Sequence, residues 1–264
     1  MLLCQISDLH IVRAGGGAYH LDPAAALRRC LATVLALKPL PDAVVLTGDL
    51  VDHGTAAEYA VLRRLLQGLP CPVYLLPGNH DERAALRAAF SDHGYLRQLP
   101  DYCQYQADVG GLRLLVLDTV VPGAAHGELC DRRLDWLEAQ LARDARRPTI
   151  IALHHPPFDT GIGHMDGLRL GAGAARLEVL VARHPCVERV ICGHVHRTIY
   201  RRWAGTVVSA CPAPVHHVSL DLRPGAPATY QLEPPGFHVH VWQEGQGVVT
   251  HLVPVGSFPG PFPF

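Results

Sequence analysis

Five short stretches of this 264-residue chain carry acids, amides and imidazoles at spacings that could hold metal ions. They are "SDLH" with Asp8 and His10, "TGDL" with Asp49, "PGNHD" with Asn79, His80 and Asp81, "ALHHPP" with His154 and His155, and "CGHVH" with His194 and His196. Asp-x-His and His-x-His at i, i+2 turn both side chains to one side of an extended segment. Carboxylate, amide and imidazole donors in that mixture suit borderline divalent or trivalent transition metals. They are too many for one ion, and a carboxylate such as Asp49 can bridge two. The plainer alternative is turn and cap chemistry, since Gly-Asp is common in turns. For Asp81, followed by a helix start in "DERAAL", a structural or helix-capping role is the expectation. His155 is expected to orient its neighbours. "HVH" at 238–240 repeats the i, i+2 spacing without convergent acids and is expected on a solvated strand face.

The elements that must carry these residues are legible around them. Apolar runs at 1–6, 42–48, 72–78, 113–119, 149–155 and 189–194 read as strands, and 23–37, 56–69, 82–90, 131–145 and 174–184 have helical spacing. This βαβα rhythm predicts an α/β sheet protein with strands buried on both faces. Most of the runs end in the polar stretches above, and ligands of open α/β sheets bind beyond the carboxyl ends of the strands. After about residue 200 the pattern becomes alternating and proline-punctuated, which predicts β hairpins. The expected organisation is a catalytic core over 1–200 and a β segment over 201–264 that completes it and forms cap or oligomer contacts.

Composition excludes several classes. Lys and Arg number 23 against 24 Asp and Glu, with no basic run, which argues against a nucleic-acid polymer or an anionic membrane as partner. No apolar stretch reaches the length of a membrane span, and no signal peptide is visible at the N-terminus. Eight scattered cysteines without a CxxC pair predict reduced thiols and a cytoplasmic setting.

Taken in order over residues 8–196, the blocks D-x-H, G-D, G-N-H-[DE], H and G-H-x-H resemble the calcineurin-like metallophosphoesterase superfamily. "PDAVVLTGDLVDHGTAAEY", "PVYLLPGNHD", "HHPPF", "VICGHVHR" and, more faintly, "PVHHV" at 214–218 are similar to its bacterial glycerophosphodiesterases and class III cyclic nucleotide phosphodiesterases. The resemblance implies a metallophosphoesterase-type β-sandwich flanked by helices, with a C-terminal β-rich cap and a homodimer or higher oligomer. It implies one ion on Asp8, His10, Asp49 and His196, and a second on Asp49, Asn79, His154 and His194. The expected cofactors are therefore two Fe, Mn, Zn or Co ions, with Asp49 bridging them.

His80 would face the substrate as general acid, and Asn79 and His216 would also meet it. Tyr19, in the glycine-rich loop "RAGGGAYHLD" after His10, is a candidate contact to the alcohol portion. The implied activity is hydrolysis of a small phosphodiester, a glycerophosphodiester or a 3′,5′-cyclic nucleotide, with the ions lowering the pKa of a bound water and clamping the phosphoryl oxygens. Rivals are a phosphomonoesterase or nuclease of the same superfamily, and a non-catalytic scaffold. The protein phosphatase pattern GDxVDRG is met here by "GDLVDHG", so its phosphate-gripping Arg is absent.

Overall fold

The computed structural model describes residues 1–13, 15–16 and 20–263. Its first sheet is built on β1 (Leu2–Ile6), β2 (Ala43–Thr47) and β3 (Val73–Leu76), paired in parallel. Parallel pairing requires crossovers, and these are the helices α1 (Pro23–Leu35) and α2 (Ala56–Leu66). Asp22 caps α1 by accepting from Ala25 N–H, with Pro23 in its first turn. Thr55 and Glu58 form a capping box at α2. The helix α3 (Arg83–Ala89) follows β3.

The second sheet runs in the order β4 (Tyr105–Val109), β5 (Leu112–Val116), β6 (Thr149–Ala152), β7 (Val187–Cys192), β9 (Thr206–Ala210), β8 (Ile199–Trp203). β5, β6, β7 and β9 are parallel; β4 and β8 close the two edges antiparallel. The helices α4 (Asp131–Arg143), α5 (Gly163–Asp166) and α6 (Ala174–Arg183) lie in its connections. A short pair, β10 (His217–Val218) and β11 (Tyr230–Gln231), precedes the last hairpin, β12 (Gly236–Gln243) and β13 (Gly247–Pro254). β12 pairs antiparallel with β1, giving the first sheet the order β13-β12-β1-β2-β3.

One core cluster joins residues of the two sheets, among them Leu3, Ile6, Leu46, Leu114, Ile150 and Ile191, and includes Leu27 of α1 and Leu62 of α2. A second packs Leu115, Ile151 and Val190 against Leu134 and Leu137 of α4 and Leu177 and Leu180 of α6. All five residues of β5 are therefore buried, which is why the sequence there is an unbroken apolar run apart from Arg113. The architecture is the expected helix-flanked α/β sandwich.

Three expectations change. β4 and β8 were not among the expected strands: both are edge strands, and "IYRRW" of β8 leaves its two arginines exposed. Of the two roles expected for Asp81, the capping one falls to Glu82, which accepts from Ala84 and Ala85 N–H, while Asp81 takes the structural one, turning inward to accept from Leu50 N–H, Gly78 N–H and the Tyr59 hydroxyl. The Gly78–Asp81 turn directs that carboxyl away from the helix. His238 and His240 are fully buried between the sheets rather than solvated, because β12 takes an inner place in the first sheet.

Phe237 of β12 has no exposed surface and belongs to the main core cluster. Phe237→Ala should destabilise the protein by about 3–5 kcal/mol in urea unfolding, the usual range for a fully packed ring. A cost below about 1 kcal/mol, as for an exposed site, would mean that the C-terminal hairpin is peripheral to the core.

Candidate metal centre

The carboxyl ends of β1, β2, β3, β6 and β7 bring Asp8, His10, Asp49, Asn79, His154, His194 and His196 to one end of the sandwich. Five of these seven residues have left-handed backbone: Asp8 at φ 56°, His10 at 45°, Asp49 at 46°, His194 at 70° and His196 at 54°. Such angles are costly for side-chain-bearing residues and persist only where the surroundings impose them. Here the chain turns sharply off each strand and is stitched to the next: Asp8 N–H donates to Gly48 O at 3.0 Å, and His10 N–H to Asp49 O at 2.9 Å. The Asp8 carboxylate accepts from His194 N–H at 3.0 Å, tying the two sheets together at the site.

Glycines make room for this crowding. A Cβ on Gly193 would lie 2.0 Å from Ser7 Oγ, one on Gly48 would lie 2.2 Å from His154 Nδ1, and one on Gly78 would lie 2.2 Å from Asp49 Oδ1. These are distances at which the neighbour must move.

The ring orientations are fixed from behind. His196 Nδ1–H donates to the His216 carbonyl at 3.1 Å, and His154 Nδ1–H to the Thr47 carbonyl at 2.8 Å. His10 Nδ1–H donates to the Asp52 carboxylate at 3.0 Å. Each Nε2 is then a bare lone pair turned inward. His10 Nε2 and His196 Nε2 face each other at 3.4 Å, with Asp8 Oδ1 3.3 Å from His196 and Asp49 Oδ2 3.8 Å from His10. On the other side of Asp49, His154 Nε2 lies 3.4 Å from Asp49 Oδ2 and 3.2 Å from Asn79 Oδ1. His194 and His155 can each bring a ring nitrogen within 4.8 Å of one on His154. His194 Nε2 is buried and, among the described residues, has no hydrogen-bond partner.

With neutral rings these are acceptors facing acceptors, an arrangement that repels itself unless a proton or a metal cation lies between. Ligand atoms about 2.1 Å from one ion, at angles near 90–110°, sit about 3.0–3.4 Å apart, close to the spacings found. The residues therefore fit a pair of ions meeting at Asp49.

The electrostatics agree. Burial pushes the Asp8 carboxyl up, but His196 beside it pulls it down further, to about 2. Burial likewise opposes charge on Asp49, yet His154 holds its pKa well below the ordinary value. Burial drives His194 down to about 3 with His154 adding repulsion, so it is a neutral imidazole, as a ligand must be. His154 is the exception: burial lowers it, but the Asp49 carboxylate outweighs this and lifts it to about 9. An ion bound by His154 would therefore have to displace that proton.

Above the cluster is an open pocket of about 210 Å³. Five of the seven residues above (His10, Asp49, Asn79, His194 and His196) line it with His80 and His216, and its apolar side is Ala125, Met165, Leu168 and Val218. His80 Nδ1–H donates to the Asp52 carbonyl at 2.8 Å, and its backbone N–H donates to Asp49 Oδ1 at 3.0 Å. The His216 ring lies 4.4 Å from His196 and 5.3 Å from His10. Tyr19 lies outside the described residues.

Sequence reasoning passed over Asp52, although it sits in "GDLVDHG". Its carboxylate orients His10 and its carbonyl orients His80, and the only signal was an acid three residues after Asp49. His155, buried beside the cluster, has its Nδ1 2.7 Å from the Thr119 hydroxyl.

Residues 1–198 match the calcineurin-like phosphoesterase family. The chain belongs to that family. This phosphoesterase is 37% identical to a "probable glycerophosphodiester phosphodiesterase" of Arcobacter nitrofigilis, over 100% of this chain and 97% of that protein. It is 34% identical to a glycerophosphodiester phosphodiesterase of Enterobacter lignolyticus, over 99% and 94%. It is 33% identical to a cAMP/cGMP dual specificity phosphodiesterase of Mycobacterium tuberculosis, over 97% and 80%. A dimetal phosphatase from Danio rerio has the same fold at 15% identity, with a TM-score of 0.70 over 97% of this chain and 99% of that one.

The tightness of the site makes a stability prediction. Gly193→Ala forces a methyl group into Ser7 Oγ and Asp8 Oδ2, and should cost at least the roughly 1–3 kcal/mol of an overpacked core position. Gly68→Ala, with nothing within 4 Å, should change stability by less than about 0.5 kcal/mol. Urea midpoints of the two variants against the parent check the contrast.

Proposed function

We propose that this phosphoesterase is a binuclear metal-dependent phosphodiesterase acting on small phosphodiesters, a glycerophosphodiester or a 3′,5′-cyclic nucleotide. The observation that carries the proposal is the two clusters of inward-turned imidazole nitrogens and side-chain oxygens that share Asp49. One ion is assigned to Asp8, His10, Asp49 and His196, and the other to Asp49, Asn79, His154 and His194, with Fe, Mn, Zn or Co as the candidate metals. When bound, such a pair supplies a water of lowered pKa and positive charge for the phosphoryl oxygens.

The chain's own residues do the rest. His80, with a third of its side chain exposed, is the accessible histidine of the group. With Nδ1–H committed to the Asp52 carbonyl, its Nε2 is left to hand a proton to the departing alkoxide. Asp49 accepts from the His80 backbone N–H, so the bridging carboxylate also sets where that ring stands. Asn79 and His216 are assigned to the phosphoryl group, and Tyr19 to the alcohol portion. Among the described residues no Lys or Arg lines the pocket, which favours a singly charged diester over a dianionic monoester and over a polynucleotide. The relatives named as glycerophosphodiester phosphodiesterases support the glycerol ester first.

The reading is tested with two measurements on one preparation. Elemental analysis of active protein should find two ions per chain. His80→Ala should then slow an alkyl diester such as glycerophosphoethanolamine by about 10²–10⁴-fold. Bis(4-nitrophenyl) phosphate, whose leaving group needs no proton, should be slowed far less. One ion or none in active protein overturns the binuclear assignment, and equal losses on both substrates remove His80 as the acid.

We also propose a homodimer or larger homo-oligomer in the cytoplasm. No helix of the described chain is long and apolar enough to cross a membrane, and all eight cysteines are unpaired, as suits a reducing compartment. β13 is a sheet edge with Val249 and Leu252 about half exposed, and Phe258 and Phe262 of the tail are 64% and 76% exposed. Exposed large apolar side chains on a free sheet edge and on the tail that follows it are what a partner subunit would cover. Analytical ultracentrifugation should show the parent sedimenting as an oligomer and the Phe258→Ser, Phe262→Ser double variant as a smaller species. A monomeric parent overturns the proposal.

A further inference from the structure

One of the two buried histidines of β12, His240, belongs to a polar chain that runs beneath the metal centre. Gln5 of β1 is fully buried between the sheets. Its Nε2 donates to Thr47 Oγ1 at 3.0 Å and to the Cys192 carbonyl at 2.9 Å. Because a carbonyl only accepts, the amide orientation is settled, and Gln5 Oε1 must accept from His240 Nε2–H at 3.0 Å. His240 Nδ1 then accepts from the Thr250 hydroxyl of β13 at 2.8 Å. Burial keeps that imidazole neutral, and both of its nitrogens are satisfied.

What this chain touches is specific. Thr47 is two residues before Asp49, and its carbonyl accepts from His154 Nδ1–H. Cys192 is two residues before His194. A single carboxamide therefore bridges the first sheet to the second, next to the supports of both His154 and His194. Asp8 and His10 follow directly from the strand that carries Gln5, so their spacing depends less on the bridge.

We propose that Gln5, held by His240 and Thr250, is a positioning residue that sets the separation of the two halves of the metal centre and with it the affinity for the second ion. This rests on the ion assignment made above. Groups that orient metal ligands typically contribute 10–100-fold to metal affinity.

The test titrates metal-free full-length protein with Mn(II), using calorimetry and electron paramagnetic resonance. The parent should take up two ions and show an exchange-coupled Mn–Mn spectrum at two equivalents. Gln5→Met, of similar volume, should bind the first ion nearly as the parent does and the second about 10–100-fold more weakly. Its spectrum at two equivalents should be that of isolated Mn(II). His240→Leu, which leaves Gln5 in place but unheld, should shift the second ion in the same direction by a smaller factor. Equal weakening of both ions, or unchanged binding of both in protein that melts cooperatively, overturns the proposal. Where Gln5→Met does not fold, His240→Leu decides by the same split. A parent that binds only one ion overturns the binuclear assignment instead.

Discussion

The structure depends on an unfavourable juxtaposition held in place: lone pairs of His10 and His196 facing each other beside two ionised carboxylates in a buried setting. With neutral rings, the two facing lone pairs have no donor between them. Each ring is pinned from its far side by an obligatory acceptor, Asp52, the His216 carbonyl or the Thr47 carbonyl, so none can turn to donate inward. The cost of leaving acceptors unmet in a buried site is large, and it is what a cation would recover. The glycines at 48, 78 and 193, the tight turns off the strands and the carboxylate of Asp8 spanning both sheets all serve to keep those atoms from relaxing apart.

The sandwich explains why the centre lies where it does. The candidate ligands come from both sheets, four from the strand ends of the first and three from those of the second, so the inter-sheet distance is a property of the site as much as of the core. Elsewhere that distance is set by close-packed Leu, Ile and Val, which accept small adjustments cheaply in one direction or another. Hydrogen bonds with defined lengths replace them directly beneath the metal ligands.

Much of this could be seen in the sequence. Apolar runs ending in Asp, Asn and His marked the strand ends, and the alternation with helical spacing gave an α/β sheet. Features that depend on distant partners could not be seen. The burial of His238 and His240 follows from β12 pairing with β1, more than two hundred residues away. Asp81 looked like a cap because a helix follows it, but a turn at Gly78 sends its carboxyl to the backbone of Leu50. Asp52 carried no pattern of its own, since its two partners lie on other segments. β8 was hidden by its two exposed arginines, which interrupt the apolar pattern of an edge strand.

The left-handed conformations of Asp8, His10, Asp49, His194 and His196 have an evolutionary meaning. Each such residue costs roughly 1–3 kcal/mol against a relaxed backbone, and five together rival the net stability of an ordinary domain. Glycine or asparagine at these positions would relieve the cost and abolish or weaken metal binding. Selection for thermal robustness alone would therefore erode this site first, one ligand at a time, and leave the sandwich intact. A lineage that no longer needed the chemistry would be expected to drift toward an inert and more stable scaffold.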